Sequence, residues 1–185
     1  YEVARSYKAV VLDLELANGK LTATLWNERT DLKAAKVVTQ VIRTDGQLIS
    51  SDTVAIALSI GKTPVLSAGQ EAFLEGSGAD RHVVRVAVLD DRGDVLAERI
   101  LPFRRMGEMA WEKAEVRLEQ VGGSERTAIY RVSTDKPVPV VKLEARGSEL
   151  SENYFPLVPG VDRLVTVACG VEGRSELVLS VWPRL

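Results

Sequence analysis

The chain has 185 residues, enough for one large domain or two small ones. Its 24 basic and 26 acidic residues give a net charge of −2, and this balance speaks against a nucleic-acid binder, which needs a basic face. The apolar fraction of 45% can fill a core, and no apolar run approaches the roughly 18–20 residues of a membrane helix. One cysteine, Cys169, excludes an internal disulfide, and one histidine, His82, leaves too few ligands for a zinc site.

Apolar and polar residues alternate along most of the chain, which is the pattern of half-buried β-strands. The first stretch, 10–16, places its apolar residues on one side, and Asn18-Gly19 then favours a two-residue hairpin turn. The alternation predicts strands over 10–16, 21–26, 36–43, 47–60, 82–89, 95–103, 114–119, 127–133, 137–143, 164–168 and 176–182. Turns are predicted at 44–46, 91–94, 122–124 and 157–160.

Some stretches allow two interpretations. Residues 31–38 could form a helix capped by Asp31, but a strand is preferred because the neighbouring segments are strands. A helical turn over 109–114 competes with the strand that starts at Ala114. Strand pairing is expected to stop at Pro64, because proline cannot sit in a central strand. Residues 66–80 are predicted to be a loop, or a short strand around 72–74.

The strands fall into two groups, separated by the segment 102–107. The sequence therefore predicts an all-β protein with two tandem β-sandwich domains of immunoglobulin or fibronectin-III type, over 1–105 and 106–185. The chain starts at Tyr1 and not at a methionine. We expect it to be a piece of a longer protein whose missing part is N-terminal.

Motifs that carry chemistry are incomplete. Gly61-Lys62-Thr63 imitates the end of a phosphate-binding loop, but Ile56 stands where that motif needs glycine. Cys169 is interpreted as a small buried apolar residue and His82 as a surface or edge residue. The acidic cluster 90–94 is interpreted as a hairpin turn and not as a calcium loop. No catalytic, cofactor-binding or metal-binding residue is predicted.

The three tryptophans could stack on sugar rings. Trp26 and Trp182 lie in alternating strands, so core or interdomain packing is the preferred interpretation. Trp111 lies at the predicted junction of the domains and is the candidate carbohydrate contact.

Two stretches resemble β-mannosidases of glycoside hydrolase family 2. The segment 150–160, Leu-Ser-Glu-Asn-Tyr-Phe-Pro-Leu-Val-Pro-Gly, followed by Leu-Val-Thr-Val at 164–167, is similar to the last domain of that family. The strand at 7–12, the turn at 18–21 and Trp-Asn-Glu at 26–28 resemble the sandwich that follows its catalytic barrel. Exo-β-glucosaminidases and endo-β-mannosidases share this tail.

The motif residues of the second domain also have a physical interpretation. Asn153 can bond its own backbone in a turn. Tyr154 and Phe155 face opposite ways, so one can enter the core while the other contacts a neighbour. Pro159 and Gly160 reverse the chain.

The family's acid/base glutamate lies in an Asn-Glu pair, but this role is not transferred to Asn27-Glu28. A (β/α)₈ barrel takes about 250 residues, whereas only 26 residues precede this pair. A retaining glycosidase also needs a second carboxylate about 5–5.5 Å away. The pair is instead predicted to start a turn.

The resemblance implies the non-catalytic C-terminal region of a β-mannosidase-like, retaining glycosidase, without a cofactor. Its expected partner is the N-terminal catalytic barrel of the same parent chain, and a second copy of the chain and an oligosaccharide are candidate partners; nucleic acid and membrane are not expected. The alternatives are a carbohydrate-binding or adhesion module without a hydrolase parent, and a structural spacer. A bacterial protein of the cytoplasm or periplasm is expected.

Overall fold

A computed structural model describes residues 9–29, 32–74, 78–145, 148–168 and 177–182. Over these ranges the chain forms fourteen β-strands and three short 3₁₀ helices, with no α-helix. The prediction of an all-β protein is confirmed. None of the helices in the described ranges is long and apolar enough to span a membrane.

Contacts divide the described residues into two compact units. The first unit contains the residues up to 43 together with 47–110, and the second contains 44–46 together with the residues from 111 onward. Each unit is built from two antiparallel sheets, a three-stranded one and a four-stranded one.

The first unit has seven strands. They are β1 (Val10–Ala17), β2 (Lys20–Asn27), β3 (Ala34–Arg43), β4 (Leu48–Ala57), β5 (Gly61–Gly69), β6 (His82–Leu89) and β7 (Val95–Pro102). One sheet has the order β1-β2-β5 and the other β4-β3-β6-β7. Asn18 and Gly19 both adopt positive φ, 52° and 71°, so they form the predicted two-residue turn between β1 and β2.

The core of the first unit lies between its two sheets. Alternate side chains of each sheet point inward, as the period of two requires. The largest fully buried members are Leu12, Leu21, Leu25, Val41, Val84, Val86 and Val88. The 3₁₀ helices Gln70–Phe73, Ala79–Arg81 and Met106–Glu108 lie in the connections of this unit.

The second unit also has seven strands in the described ranges. They are β8 (Val116–Ser124), β9 (Thr127–Thr134), β10 (Val138–Ala145), β11 (Glu149–Leu150), β12 (Tyr154–Leu157), β13 (Arg163–Ala168) and β14 (Leu177–Trp182). The sheets have the orders β11-β13-β9-β8 and β12-β10-β14. Their inward residues form a separate core, of which the buried members are Val132, Val138, Val141, Leu143, Phe155, Leu157 and Val165.

Two local predictions, in which proline or glycine ends a strand, are wrong. Pro64 does not end pairing, because it lies inside β5 opposite Thr24 of β2. Strand β5 pairs with β2 alone among the described strands, and an edge strand tolerates proline. Likewise, Gly122 and Gly123 lie within β8, and the turn follows at residues 125–126.

The structure also tests the elements predicted at 31–38, 66–80 and 114–119. The preferred strand in this region is confirmed, since β3 begins at Ala34, and the alternative helix over 31–38 is wrong; its proposed cap, Asp31, lies outside the described residues. The loop over 66–80 is wrong in part, because β5 continues to Gly69 and a 3₁₀ helix, not a strand, covers 70–73. The strand at 114–119 is present as β8 from Val116.

Candidate functional site

The Asn-Glu pair at 27–28 is part of a turn, as predicted. Asn27 is 1% exposed. Its side-chain Oδ1 accepts a hydrogen bond from the Arg29 backbone N–H at 2.9 Å, and its Nδ2 donates to the carbonyls of Arg29 and Ser59, each at 3.2 Å. The hydrogen bonds of the Asn27 amide therefore hold the backbone after β2 in place.

The acidic cluster 90–94 is a hairpin turn, which confirms the preferred interpretation. Asp90 Oδ1 accepts hydrogen bonds from the backbone N–H groups of Arg92 and Asp94, at 3.0 and 2.8 Å. Gly93 takes a φ of 90°, a conformation that glycine adopts without strain. In the described part of the chain, no group of three or more His, Cys, Asp or Glu side chains is placed to hold a metal ion.

His82 was expected at the surface or at a sheet edge, and this prediction is wrong. The residue is fully buried, because it begins β6, which lies between β3 and β7 in the four-stranded sheet. Its Nδ1 lies 3.1 Å from the carbonyl oxygen of Gly78. This contact gives His82 a structural role in closing the connection before β6. Cys169 lies outside the described residues.

A groove of about 560 Å³ opens in the first unit beside the end of β7. Its lining residues are Leu16, Ile100, Leu101, Pro102, Phe103, Arg104, Arg105, Met106 and Glu108. Glu108 is the one carboxylate among them, so the groove does not offer the pair of carboxylates that glycoside hydrolysis requires.

Two tryptophans predicted to be packed are instead half-exposed. Trp26 on β2 is 48% exposed and Trp182 on β14 is 47% exposed. Both point outward from three-stranded sheets, and Lys62 Nζ lies 5.2 Å from the centre of the Trp26 ring. Core packing of these two residues is wrong, whereas their interdomain packing stays a prediction. Trp111, the predicted carbohydrate contact, is half-buried before β8 and has a partner of its own.

The outward face of the sheet β12-β10-β14 carries a second exposed aromatic residue beside Trp182. Tyr154 on β12 is 39% exposed, whereas the next residue, Phe155, is 2% exposed and lies in the core. We call this surface the aromatic face and define it by the outward residues of the three strands. These are Val140, Lys142, Glu144, Tyr154, Pro156, Val178, Ser180 and Trp182.

The register of the sheet fixes the arrangement of this face. Tyr154 lies opposite Lys142, which in turn lies opposite Ser180. Trp182 lies opposite Val140, two residues further along β10. The two aromatic residues therefore flank β10 on either side, with Val140 and Lys142 between them, whereas Glu144 lies on the side of Lys142 away from Trp182.

Lys142 is the charged centre of the aromatic face. Its Nζ lies 2.7 Å from Glu144 Oε1 and 5.8 Å from the centre of the Tyr154 ring. The hydrogen bond with Glu144, followed by that with Tyr154, raises the pKa of Lys142 above its ordinary value of 10.5. Lysine and glutamate thus form a charged pair with no net charge.

The remaining motif residues of the resemblance lie at the two ends of β12, with Asn153 directly before it and Pro159 and Gly160 in the turn after it. The backbone carbonyl of Asn153 accepts a hydrogen bond from Leu143 N–H at 2.9 Å. Pro159 and Gly160 occupy the turn closed by Val161 N–H donating to Val158 O at 3.3 Å. Gly160 has a φ of 74°, as the third position of a type II turn requires.

Comparison with known proteins finds similarity in structure alone. No family profile and no curated protein matches the sequence. A β-D-mannosidase from Dictyoglomus thermophilum superposes with a TM-score of 0.81 at 16% identity, over 98% of this chain and 22% of that one. An exo-chitosanase from Amycolatopsis orientalis superposes with a TM-score of 0.66 at 13% identity, over 98% and 26%.

The chain has the fold of one part of each enzyme. It spans 22–26% of the length of these solved structures. The resemblance to β-mannosidases that the sequence indicated is therefore confirmed at the level of fold. The aromatic face was missed, although the alternation of Tyr154 with Phe155 and of Trp182 with Val181 contains its signal.

Proposed function

We propose that this chain is the non-catalytic C-terminal region of a larger, retaining glycosidase that resembles β-mannosidases. Its two domains, 1–105 and 106–185, would follow a catalytic barrel in the same polypeptide. They would support that barrel through interdomain contacts or through contacts in a dimer. The parent enzyme would hydrolyse terminal β-D-mannosides.

The observation that carries the proposal is the ratio of the two coverages. The superposition takes in 98% of this chain but 22% of the mannosidase. A polypeptide that reproduces a minor part of an enzyme at a TM-score of 0.81 is expected to serve the same structural purpose.

The use of acidic side chains supports the assignment of catalysis to another part of the parent. The carboxylate of Asp90 closes a hairpin, and Asn27, the neighbour of Glu28, holds the backbone after β2 with an uncharged amide. The groove of the first unit contributes Glu108 alone as a carboxylate. Hydrolysis with retention needs a nucleophile and an acid/base residue facing one sugar ring.

The test is an assay of aryl glycosides with two proteins. We expect the 185-residue chain to leave 4-nitrophenyl β-D-mannoside intact, and a longer natural polypeptide that contains it to hydrolyse this substrate in preference to the β-D-glucosaminide. Turnover by the isolated chain that disappears in Glu28→Gln would overturn the non-catalytic assignment. A preference for the glucosaminide would contradict the mannoside specificity and leave the glycosidase parent in place.

A second candidate is a carbohydrate-binding or adhesion module without a hydrolase parent. The observation that favours it is the set of half-exposed aromatic residues on sheet faces, since soluble proteins usually bury such side chains. Trp111 is the carbohydrate contact proposed from the sequence for this alternative. A longer natural polypeptide that lacks any glycosidase activity would favour it.

A further inference from the structure

The aromatic face exposes two aromatic rings that the core of the second unit does not use. Antiparallel sheets usually turn apolar residues to the core and polar residues to water. Here Tyr154 and Trp182 are 39% and 47% exposed, although Phe155 and Val181 beside them already supply the core. Burial in the unit's own core therefore does not account for these two rings.

The spacing of the two rings selects an extended ligand. Tyr154 and Trp182 lie on the strands at either side of β10 and are offset by two residues along it. With neighbouring strands about 4.8 Å apart and a rise of about 3.4 Å per residue, their Cα atoms are about 12 Å apart. One monosaccharide covers one aromatic ring, whereas a linked chain of them can reach both.

The polar side chains of the aromatic face suit a neutral, hydroxyl-rich ligand. Lys142 and Glu144 form a pair with an N–O distance of 2.7 Å, so the face offers charge-assisted donors and acceptors without attracting a charged polymer. Ser180 adds a hydroxyl group opposite Lys142. Sugar hydroxyls can exchange hydrogen bonds with each of these groups.

We propose that the aromatic face binds a β-1,4-linked oligosaccharide, with Tyr154 and Trp182 stacking against separate pyranose rings, Lys142 bonding hydroxyls between them, and Glu144 and Ser180 bonding hydroxyls beside Lys142. The apolar C–H face of a pyranose packs on the negative face of an aromatic ring. A β-1,4-linked chain of mannose or glucose is extended, so its separate rings can reach both Tyr154 and Trp182. The proposal rests on this geometry and not on the proposed glycosidase parent.

The test titrates the 185-residue chain with β-1,4-linked mannohexaose, with cellohexaose and with free mannose, followed by calorimetry. We expect saturable binding of a hexaose and none of mannose at the same concentration. Trp182→Ala and Tyr154→Ala should each weaken binding about tenfold or more, because each removes one stacking platform. Tyr154→Phe should keep the affinity within about twofold, because it keeps the ring.

Trp26→Ala is the matched control, since Trp26 is equally exposed but lies in the first unit. It should leave the affinity unchanged. Chemical-shift mapping of the unaltered chain provides a measurement that does not depend on folding of the variants. The shifts caused by the hexaose should fall on β10, β12 and β14.

Three results would overturn the proposal. The first is no binding of either hexaose, and the second is binding whose shifts fall outside the aromatic face. The third is a concentration-dependent dimer that Trp182→Ala dissociates. This result would show that the aromatic face binds a second copy of the chain. None of these results bears on hydrolysis of aryl mannosides by a longer polypeptide, so the two proposals fail separately.

Discussion

Arg85 is a charged residue buried in the first unit and held by two side chains. Its Nη2 lies 2.6 Å and its Nε 2.9 Å from Glu98 Oε2, and its Nη1 donates to Gln40 Oε1 at 2.9 Å. The side chains of Arg85 and Glu98 are 8% and 4% exposed. Removing one partner of an ion pair buried to this degree leaves an uncompensated charge in the interior and strongly lowers the free energy of unfolding.

Arg85→Met should therefore lower the free energy of unfolding by about 3–5 kcal/mol, because it leaves Glu98 buried without its arginine. The double variant Arg85→Met/Glu98→Leu should recover much of this loss, since neither charge remains. Urea unfolding followed by circular dichroism measures both.

The control at this scale is Arg117→Met. Arg117 pairs with Glu115 at 3.2 Å, but the side chains are 70% and 66% exposed, and exposed pairs contribute little. We expect no measurable shift of the urea midpoint. If Arg85→Met behaved like Arg117→Met, the buried pair would have no part in stability.

The burial of Arg85 was beyond the sequence, whereas His82 alternates in step with Val84, Val86 and Val88 and so lies on the core face of β6. Strict alternation places Arg85 on the face away from the core residues Val84 and Val86, and that is the face that meets water in a half-buried strand. Both faces of β6 are buried, because the strand is central in its sheet. Local periodicity reports which residues share a face and does not report whether the opposite face is covered.

At the scale of elements, glycine conformation decides which turns and bulges tolerate a side chain. Gly107 has an ordinary φ and open space around an added Cβ atom. Gly160 has open space but a φ of 74°. Gly123 has a φ of 143°, and an added Cβ would lie 2.3 Å from the backbone oxygen of Thr127.

Alanine at these three glycines should give a graded loss of stability. Gly107→Ala should be neutral or slightly stabilising, Gly160→Ala should cost about 1–2 kcal/mol, and Gly123→Ala should cost more than either. Thermal unfolding of the three variants checks the order. Equal midpoints for Gly107→Ala and Gly160→Ala would contradict the strained turn after β12.

Turns were predictable where the residues dictate φ, as at Asn18-Gly19 and Pro159-Gly160. They were not predictable where the position of a strand in its sheet determines whether the chain continues as a strand or turns. Gly122 and Gly123 continue β8 next to a register shift, and Pro64 is accepted by an edge strand. The exposed positions of Tyr154 and Trp182 could be derived from alternation only after the neighbouring residues were known to fill the core.

The aromatic face also has a pH dependence with a defined sign. Because Glu144 raises the pKa of Lys142 above 10.5, the pair's stabilising contribution is fully present below pH 10.5. It is lost as the pH rises through the raised value. An NMR titration of the Lys142 side chain should have its midpoint above 10.5, and Glu144→Gln should move that midpoint down. An unmoved midpoint would show that Glu144 does not act on Lys142.

At the scale of the whole molecule, two separate cores imply two separately folding parts. The buried residues of the two clusters have no member in common, and each cluster lies between two sheets of its own unit. We therefore expect the segment 111–185, produced alone, to unfold in one cooperative transition.

The boundary between the parts gives the sharper test. The proposed domain 1–105 omits the 3₁₀ helix Met106–Glu108 and Ala110, whose N–H donates to Asp80 O at 2.8 Å in the first unit. Met106 and Glu108 also line the groove of that unit. A segment 1–110 should therefore be more stable than 1–105, by about 1 kcal/mol for the hydrogen bond alone.

Urea unfolding of the two segments measures this difference. A third protein, the segment 1–110 with Met106→Ala, separates the contribution of the Met106 side chain from that of the hydrogen bond. Identical midpoints would leave residues 106–110 as a linker and favour the boundary at 105.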